Sequence, residues 1–138
     1  MSTGWAVVKF SMDDILLINA FEKISKVNAK DCITEKNVIS FLVEGKLVGK
    51  AIGKKAVNVK FLEQKLKKKI EIIGFYKKPE EVIKKTFDVE IEEINKKKGR
   101  IIITVDSLNK RKIMNNLSRL KRVRELMKRN YELELTVN

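Results

Sequence analysis

Residues 46–69 read KLVGKAIGKKAVNVKFLEQKLKKK, and the pattern of this stretch decides the fold. Residues 47–51 leave room for one or two helical turns, and a break follows at residues 53–56, Gly-Lys-Lys-Ala. Beyond the break, Val59, Leu62 and Leu66 recur at the spacing of one helix face, so we expect them to point inward. The stretch therefore predicts a helix, a loop and a longer helix.

A similar stretch occurs 61 residues later, at residues 107–130. The apolar positions coincide at this offset: Leu47 with Leu108, Ile52 with Ile113, Val59 with Leu120, Leu62 with Val123, Leu66 with Met127 and Ile70 with Tyr131. Self-similarity at a fixed offset is typical of a chain built from similar modules. We therefore expect two domains, residues 1–76 and residues 77–138.

The positive charge of the chain is concentrated in these two stretches. Each holds nine Lys or Arg and one acidic residue, so together they carry +16, whereas the rest of the chain sums to −3. Clustered Lys and Arg gain most where phosphates release condensed counterions, which makes nucleic acid the first partner to consider. A composition rich in Lys and Glu without His also resembles that of hyperthermophile proteins, where Lys runs are often only solvated faces. The uneven partition favours a binding surface.

The remaining sequence predicts the same order of elements in each half. Hydrophobic periodicity and turn residues place the elements of the first half at residues 12–27 (helix), 31–34 and 38–43 (hairpin) and 70–73 (strand). The elements of the second half are a helix at 79–87, strands at 89–94 and 101–105 around a turn at 95–99, a helical turn at 108–113, a break at 114–117, a helix from 117 and a strand at 131–137. Each half is therefore α-β-β-α-α-β, which is an α+β fold.

The composition argues against an enzyme. Cys32 is the only cysteine and histidine is absent, so the chain cannot form a zinc site, a Cys–His pair or a Ser-His-Asp triad. The acid pair Glu80-Glu81 suits the solvated start of a helix better than a catalytic site. We expect no catalytic residue, no cofactor and no metal. A single cysteine, with no apolar run long enough for a secretory signal or a membrane span, predicts a cytoplasmic protein without a membrane partner.

The first basic stretch resembles a known family. Residues 48–60, VGKAIGKKAVNVK, with Leu62-Glu63 and residues 70–73, IEII, closely resemble the first KH repeat of archaeal NusA proteins. Residues 124–129, RELMKR, are similar to the end of that family's second KH helix, and Phe21-Glu22 with residues 31–33 resemble its opening. The resemblance covers roughly Lys9 to the C-terminus. It implies two tandem prokaryotic-type (type II) KH domains, an N-terminal one and a C-terminal one.

The resemblance also implies a Gly-x-x-Gly loop that holds the backbone of about four unpaired nucleotides. A residue without a Cβ lets the backbone approach a phosphate, and the N–H groups of the next helix point at that anion. Gly53 is retained, Lys54 and Lys55 fill the variable positions, and Ala56 replaces the second glycine. The RNA-binding candidates of this half are Lys50, Ile52, Gly53, Lys54, Lys55, Ala56 and Lys60, with Val57 and the strand at residues 38–43 beside the groove.

The second loop departs from this pattern, because Met114 and Leu117 stand at the glycine positions around Asn115 and Asn116. Met114 would keep the backbone away from a phosphate, although Asn tolerates a left-handed turn. We therefore expect this half to hold phosphates by side chains rather than by a backbone clamp. Its candidates are Arg111, Lys112, Asn115, Asn116, Arg119, Arg122 and Arg124.

Three aromatic residues, Phe61, Phe75 and Tyr76, lie near the basic stretch and could stack on bases, although packing or a contact between the domains explains each equally well.

Four functions fit these observations. The resemblance implies a single-stranded RNA-binding protein of the NusA kind that modulates transcription elongation or termination, with RNA polymerase as a protein partner. A second hypothesis is an RNA-binding factor in ribosome assembly or translation, with ribosomal components as partners. A third is a degenerate KH scaffold for protein interaction, which Ala56, Met114 and Leu117 motivate. Duplex DNA binding by the same basic surfaces is the fourth.

Overall fold

The structure is a computed structural model that describes residues 12–138. Residues 1–11, which include the N-terminal segment considered for secretion and the start of the family resemblance, lie outside the described residues. The chain divides into two compact units, with the boundary between Phe75 and Tyr76. Both units are α+β, and no described helix is long and apolar enough to cross a membrane.

Over residues 12–75, unit 1 contains a mixed three-stranded sheet, three α-helices and two short 3-10 turns. Its elements are α1 (Met12–Ser25), β1 (Ala29–Glu35), β2 (Val38–Glu44), α2 (Val48–Ile52), α3 (Val57–Leu66) and β3 (Lys69–Phe75). The hairpin strands β1 and β2 are antiparallel, whereas β3 is parallel to β2 because two helices separate them in the chain. In the sheet order β1-β2-β3 the strand β2 is central, and its residues 39–43 are all buried.

The core of unit 1 lies between the sheet and its helices. Phe21 of α1 stacks on Phe41 of β2, with ring centroids 4.3 Å apart, and neither ring is exposed. Leu62 of α3 is fully buried in the same core, while Val59 and Leu66 are half-buried against it. The spacing of these three residues therefore fixes which face of α3 points inward. Burial of a Phe or Leu side chain contributes about 1.5–3 kcal/mol.

Unit 2, from Tyr76, has the same order of elements. They are α4 (Pro79–Phe87), β4 (Glu93–Lys97), β5 (Arg100–Thr104), α5 (Ser107–Met114), α6 (Leu117–Tyr131) and β6 (Glu134–Val137), with the sheet order β4-β5-β6. Pro79 begins α4, where its missing N–H costs nothing. Leu120, Val123 and Met127 are buried, as their spacing predicts.

Two strands of unit 2 differ from the sequence expectation. The strand predicted at residues 89–94 begins only at Glu93 and continues to Lys97, into the segment expected to be a turn. The reason is the turn itself: Gly99 has φ +72°, and Lys97 pairs with Arg100, so two residues reverse the chain and set the register. The last strand begins at Glu134 rather than residue 131, because α6 continues to Tyr131.

Candidate nucleic-acid interface

The loop between α2 and α3 adopts a left-handed backbone at residues that are not glycine. Gly53 has φ +82°, and Lys55 and Ala56 have φ +54° and φ +60°. A residue with a Cβ loses about 1–2 kcal/mol in this region, so Lys55 and Ala56 concentrate backbone strain in the loop. Two features favour glycine at residue 53. Its φ is positive, and a Cβ there would lie 2.9 Å from both Cγ and Nδ2 of Asn58.

The N-terminus of α3, which follows this loop, has no side-chain cap. Ala56 is its N-cap residue and offers no side-chain acceptor, so no side-chain cap closes the first turn of this ten-residue helix. The Val57 N–H already donates to the Lys54 carbonyl oxygen, so an anion would meet the N–H groups that follow it and the positive end of the helix dipole. Below the loop, Asn58 Nδ2 donates a hydrogen bond to the Lys50 carbonyl oxygen at 3.2 Å and so ties α3 to α2. Sequence reasoning assigned no role to Asn58.

Lys50, Lys54, Lys55 and Lys60 are exposed around the loop. Among residues 12–138, no ion pair involves any of the four, so their charge is available to an outside anion. Gly53, Ala56 and Ile52 are half-buried beside them. The structure therefore gathers the candidates of the first half at one end of α3.

The strand expected to read base edges lies at the centre of its sheet. Residues 38–43 belong to β2, whose backbone groups pair with β1 on one side and β3 on the other. A central strand has no free backbone edge for a ligand, whereas the outer strand β3 has one. The backbone of residues 38–43 is therefore used within the sheet, and contact of their side chains with bases stays a prediction.

The second loop, unlike the first, provides a side-chain cap for the helix that follows it. Asn116 is the N-cap residue of α6, and its side-chain oxygen accepts a hydrogen bond from the Arg119 N–H at 3.2 Å. Asn115 and Asn116 have φ of −71° and −131°, so neither uses the left-handed conformation that Asn tolerates. Met114 is half-buried and Leu117 is 63% exposed. The chain itself supplies the acceptor at this helix start.

The basic candidates of unit 2 are not equivalent. Arg111 is exposed, whereas Lys112 Nζ donates to the Asp88 carbonyl oxygen at 3.0 Å and also lies 4.0 Å from the Asp88 carboxylate. Arg119 is half-buried. Arg122 is only 4% exposed, and its guanidinium donates to the Ser118 hydroxyl within α6. We therefore remove Arg122 from the candidate surface, since a buried guanidinium cannot meet a phosphate in solvent.

A groove of about 480 Å³ runs between α6 and β6. Arg124 Nε donates to the Leu135 carbonyl oxygen at 3.3 Å and so joins the two sides. The groove is lined by leucines, basic side chains and two acids: Leu117, Leu120, Lys121, Arg124, Glu125, Lys128, Glu134 and Leu135. Sequence reasoning gave no role to Lys121 and Lys128, although their three-to-four-residue spacing from Leu117 and Arg124 marks one side of a helix.

The tip of the β4–β5 hairpin is a further basic surface that the sequence analysis treated only as a turn. Lys97, Lys98 and Arg100 are exposed and belong to no ion pair within the described part of the chain. Lys96, in contrast, lies 3.0 Å from the Glu80 carboxylate. Burial alone would raise the pKa of Glu80, but hydrogen bonds from its own backbone N–H and from Lys96 outweigh that effect and lower the pKa.

The three aromatic candidates have different surroundings. Phe61 is 54% exposed on α3. The Phe75 ring is half-buried, with Lys30 Nζ 4.9 Å from its centroid. Tyr76 donates its N–H to the Tyr131 hydroxyl at 2.9 Å, and that hydroxyl donates back to the Tyr76 carbonyl. Burial raises the pKa of both tyrosines.

Two archaeal proteins are similar to the chain. A protein of Methanocaldococcus jannaschii, named probable transcription termination protein NusA, is 31% identical over 106 residues, which are 75% of this chain and 58% of that protein. A protein of Methanococcus vannielii with the same name is 35% identical over 92 residues, 66% of this chain and 53% of that protein. The chain is related to archaeal NusA-like proteins. It spans somewhat more than half the length of these relatives, and no protein-family model matches it.

A solved structure has the same fold. The crystal structure of APE1850 superimposes with a TM-score of 0.79 at 26% sequence identity, over 94% of this chain and all of that one. The mixed sheets and helices are therefore shared along almost the whole length.

Proposed function

We propose that this chain is a single-stranded RNA-binding protein of two tandem type II KH domains that modulates transcription elongation or termination. The observation that carries the proposal is the loop at residues 53–56. It combines a glycine that tolerates no Cβ, two left-handed residues, a helix N-terminus without a side-chain cap and two exposed lysines. Each of these features favours a phosphate close to the backbone.

A phosphate at the N-terminus of α3 would accept hydrogen bonds from the helix amides and would lie near the ammonium groups of Lys54 and Lys55. Unit 2 contributes differently, since Asn116 already satisfies its helix. Its groove between α6 and β6 offers the exposed side chain of Leu117 to a base and that of Lys128 to a phosphate. Recognition in this scheme needs unpaired bases, because stacked and paired bases cannot enter a shallow groove beside a backbone clamp.

The transcriptional role rests on the names of the relatives, and RNA polymerase as a partner would follow from such a role. The scheme assigns no bond-making chemistry to any residue, so the protein is proposed to act by binding alone. Crosslinking in cells separates this role from ribosome assembly: recovery of nascent transcripts with polymerase supports it, whereas recovery of precursor ribosomal RNA with ribosomal proteins supports the alternative.

Titration of the full chain against labelled single-stranded RNA, hairpin RNA and duplex DNA tests the binding itself, by fluorescence anisotropy at several salt concentrations. Lys54→Asp/Lys55→Asp is compared with Lys97→Asp/Lys98→Asp, which makes the same change of charge at the exposed hairpin tip. We expect single strands to bind best and the loop variant to lose about 100-fold in affinity. Its salt slope should fall by about 0.7 for each lost phosphate contact.

The hairpin variant should lose much less affinity than the loop variant. If all three nucleic acids bind alike and the two variants lose equally, only a nonspecific basic surface remains. If nothing binds while a stable protein partner is recovered, the scaffold hypothesis replaces the proposal.

A further inference from the structure

The outward face of α3 carries apolar groups that the helix does not bury. Val57 and Phe61, one turn apart, are 56% and 54% exposed, whereas Leu62 beside them is fully buried. Phe61 borders two shallow depressions, one shared with Val57 and Lys60 and one shared with Gln64 and Lys65. A large aromatic ring is therefore held open to solvent on a regular helix.

The position of Phe61 relates it to the loop. Val57 is the first residue of α3, and Phe61 follows about 6 Å further along the helix axis, at about 1.5 Å per residue. The inward residues Val59 and Leu66 occupy the opposite side of the helix. The ring thus lies one helical turn from the phosphate position proposed above, outside the loop itself.

The side chains around Phe61 suit a nucleotide. Lys60 and Lys65 are exposed beside the ring, and neither joins an ion pair within residues 12–138. The nearby acid, Glu63, is occupied, because its carboxylate accepts a hydrogen bond from the Ile70 N–H at 3.1 Å. The exposed amide of Gln64 offers both a donor and an acceptor. An aromatic face, cations and an amide together match a base, its phosphates and its edge.

The corresponding face in unit 2 lacks this arrangement. At the offset of 61 residues, Val57 corresponds to Ser118, Phe61 to Arg122 and Gln64 to Glu125. Arg122 is buried and bonded to Ser118, so that face presents no apolar group to solvent at these positions. The open ring is therefore a property of unit 1 and not of the repeated fold.

We propose that Phe61 is a stacking platform for one base of the bound single strand, next to the nucleotide whose phosphate lies at the loop. In this arrangement Gln64 contacts the edge of the stacked base, and Lys60 and Lys65 contact flanking phosphates. The inference rests on the proposed function. A protein partner fits less well, because two exposed side chains are far smaller than the roughly 800 Å² that each side of a stable protein interface buries.

The test measures affinity of the full chain for fluorescein-labelled oligouridylate and oligoadenylate of about a dozen nucleotides, a length that exceeds the roughly four nucleotides that one KH loop holds. Phe61→Ala is compared with Phe61→Tyr, which keeps a stacking face, and with Leu108→Ala, which removes a similarly exposed apolar side chain elsewhere. We expect Phe61→Ala to weaken binding about 5- to 100-fold. Its salt slope should stay unchanged, because no phosphate contact is lost. The two controls should bind close to wild type.

Oligonucleotides with a single abasic site at successive positions locate the stacked base. At one position the abasic substitution should weaken the wild type and remove the difference between wild type and Phe61→Ala. An unchanged affinity of Phe61→Ala overturns the proposal, as does an equal difference at every abasic position.

The two proposals fail in different ways. If Lys54→Asp/Lys55→Asp loses affinity while Phe61→Ala does not, only the stacking site is wrong. If the wild type does not bind these strands, the proposed function fails first. If Phe61→Ala leaves RNA affinity unchanged but abolishes a dimer detected by sedimentation, the ring serves contact between copies and the stacking proposal is overturned.

Discussion

The loops at residues 53–56 and 114–117 occupy the same place in units with the same order of elements, yet they treat the following helix in opposite ways. The first leaves the N-terminus of α3 uncapped and holds Lys55 and Ala56 at positive φ. The second ends α5 regularly, and the Asn116 side chain caps α6. Whether a helix start is open to an anion therefore depends on one side chain and two backbone conformations, not on the fold around it.

The difference has opposite effects on stability. An N-cap Asn contributes about 1 kcal/mol to its helix, whereas a residue with a Cβ loses about 1–2 kcal/mol in the left-handed region. The second loop therefore stabilises unit 2, whereas the first loop destabilises unit 1. Strain that persists at a loop of exposed lysines fits a binding role for the first loop, and capping fits a supporting role for the second.

Among single substitutions that probe the first loop, Gly53→Ala should have the largest effect on stability and RNA affinity. The new Cβ meets Asn58 at 2.9 Å at a φ of +82°, so we expect the free energy of unfolding to fall by about 3 kcal/mol, with a loss of RNA affinity. Urea unfolding and anisotropy measure the two effects. Gly99→Ala is the matched control, since Gly99 also has a positive φ of +72° but no atom within 4 Å of the added Cβ. Equal losses in both variants would show that the contact with Asn58 is unimportant.

Conversion of the second loop into the first is expected to raise RNA affinity. The graft Met114→Gly/Asn115→Lys/Asn116→Lys/Leu117→Ala removes the cap and adds the lysines of the first loop. We expect about a tenfold gain, roughly 1.4 kcal/mol, in anisotropy titrations. Asn115→Lys/Leu117→Lys adds the same two charges at exposed positions but keeps the Asn116 cap, so it controls for charge. If this control gains as much as the full graft, side-chain charge and not backbone geometry distinguishes the loops.

Tyr131→Phe tests the supporting role of unit 2. The substitution removes the hydroxyl that bonds both backbone groups of Tyr76, so we expect unfolding free energy to fall by about 1–2 kcal/mol at neutral pH, with RNA affinity unchanged. Because burial raises the pKa of Tyr131, the folded state holds that proton more tightly than the unfolded state. This stability is present below the ordinary tyrosine pKa of about 10 and is lost as pH rises through the folded pKa.

Unfolding of wild type and Tyr131→Phe from pH 8 to pH 11 checks that direction. The loss of stability with rising pH should be smaller in the variant, since Tyr76 alone then contributes from this pair. An identical alkaline loss in both proteins would contradict the assignment to Tyr131.

Ala56→Gly should have the smallest effect. Glycine adopts φ +60° without penalty, so we expect a gain of about 0.5–1 kcal/mol in unfolding free energy and RNA affinity equal to or slightly above that of the wild type. Lys67→Gly, at the same φ of +60° where α3 ends, is the control for backbone relief away from the loop. A destabilised Ala56→Gly would mean that the strain assigned to this residue is absent.

Particular residues show how far sequence reasoning reached. The spacing of Val59, Leu62 and Leu66 gave the buried face of α3 correctly, because helix periodicity is a local property. The same reasoning assigned Arg122 to the surface from its charge alone, although it is 4% exposed. It placed β4 at residues 89–94 from alternation, whereas the turn at Lys98 and Gly99 set a different register.

The sequence by itself determined the twofold repeat of elements, the apolar faces of the helices and the concentration of charge. These follow from periodicity and composition, which act over a few residues. Only the tertiary structure decided that β2 is the central strand, that Asn116 caps α6, that Lys112 is engaged by Asp88 and that Phe61 stays open to solvent. Those outcomes depend on contacts between groups that are distant in the sequence or differently oriented. Local sequence patterns do not determine such contacts.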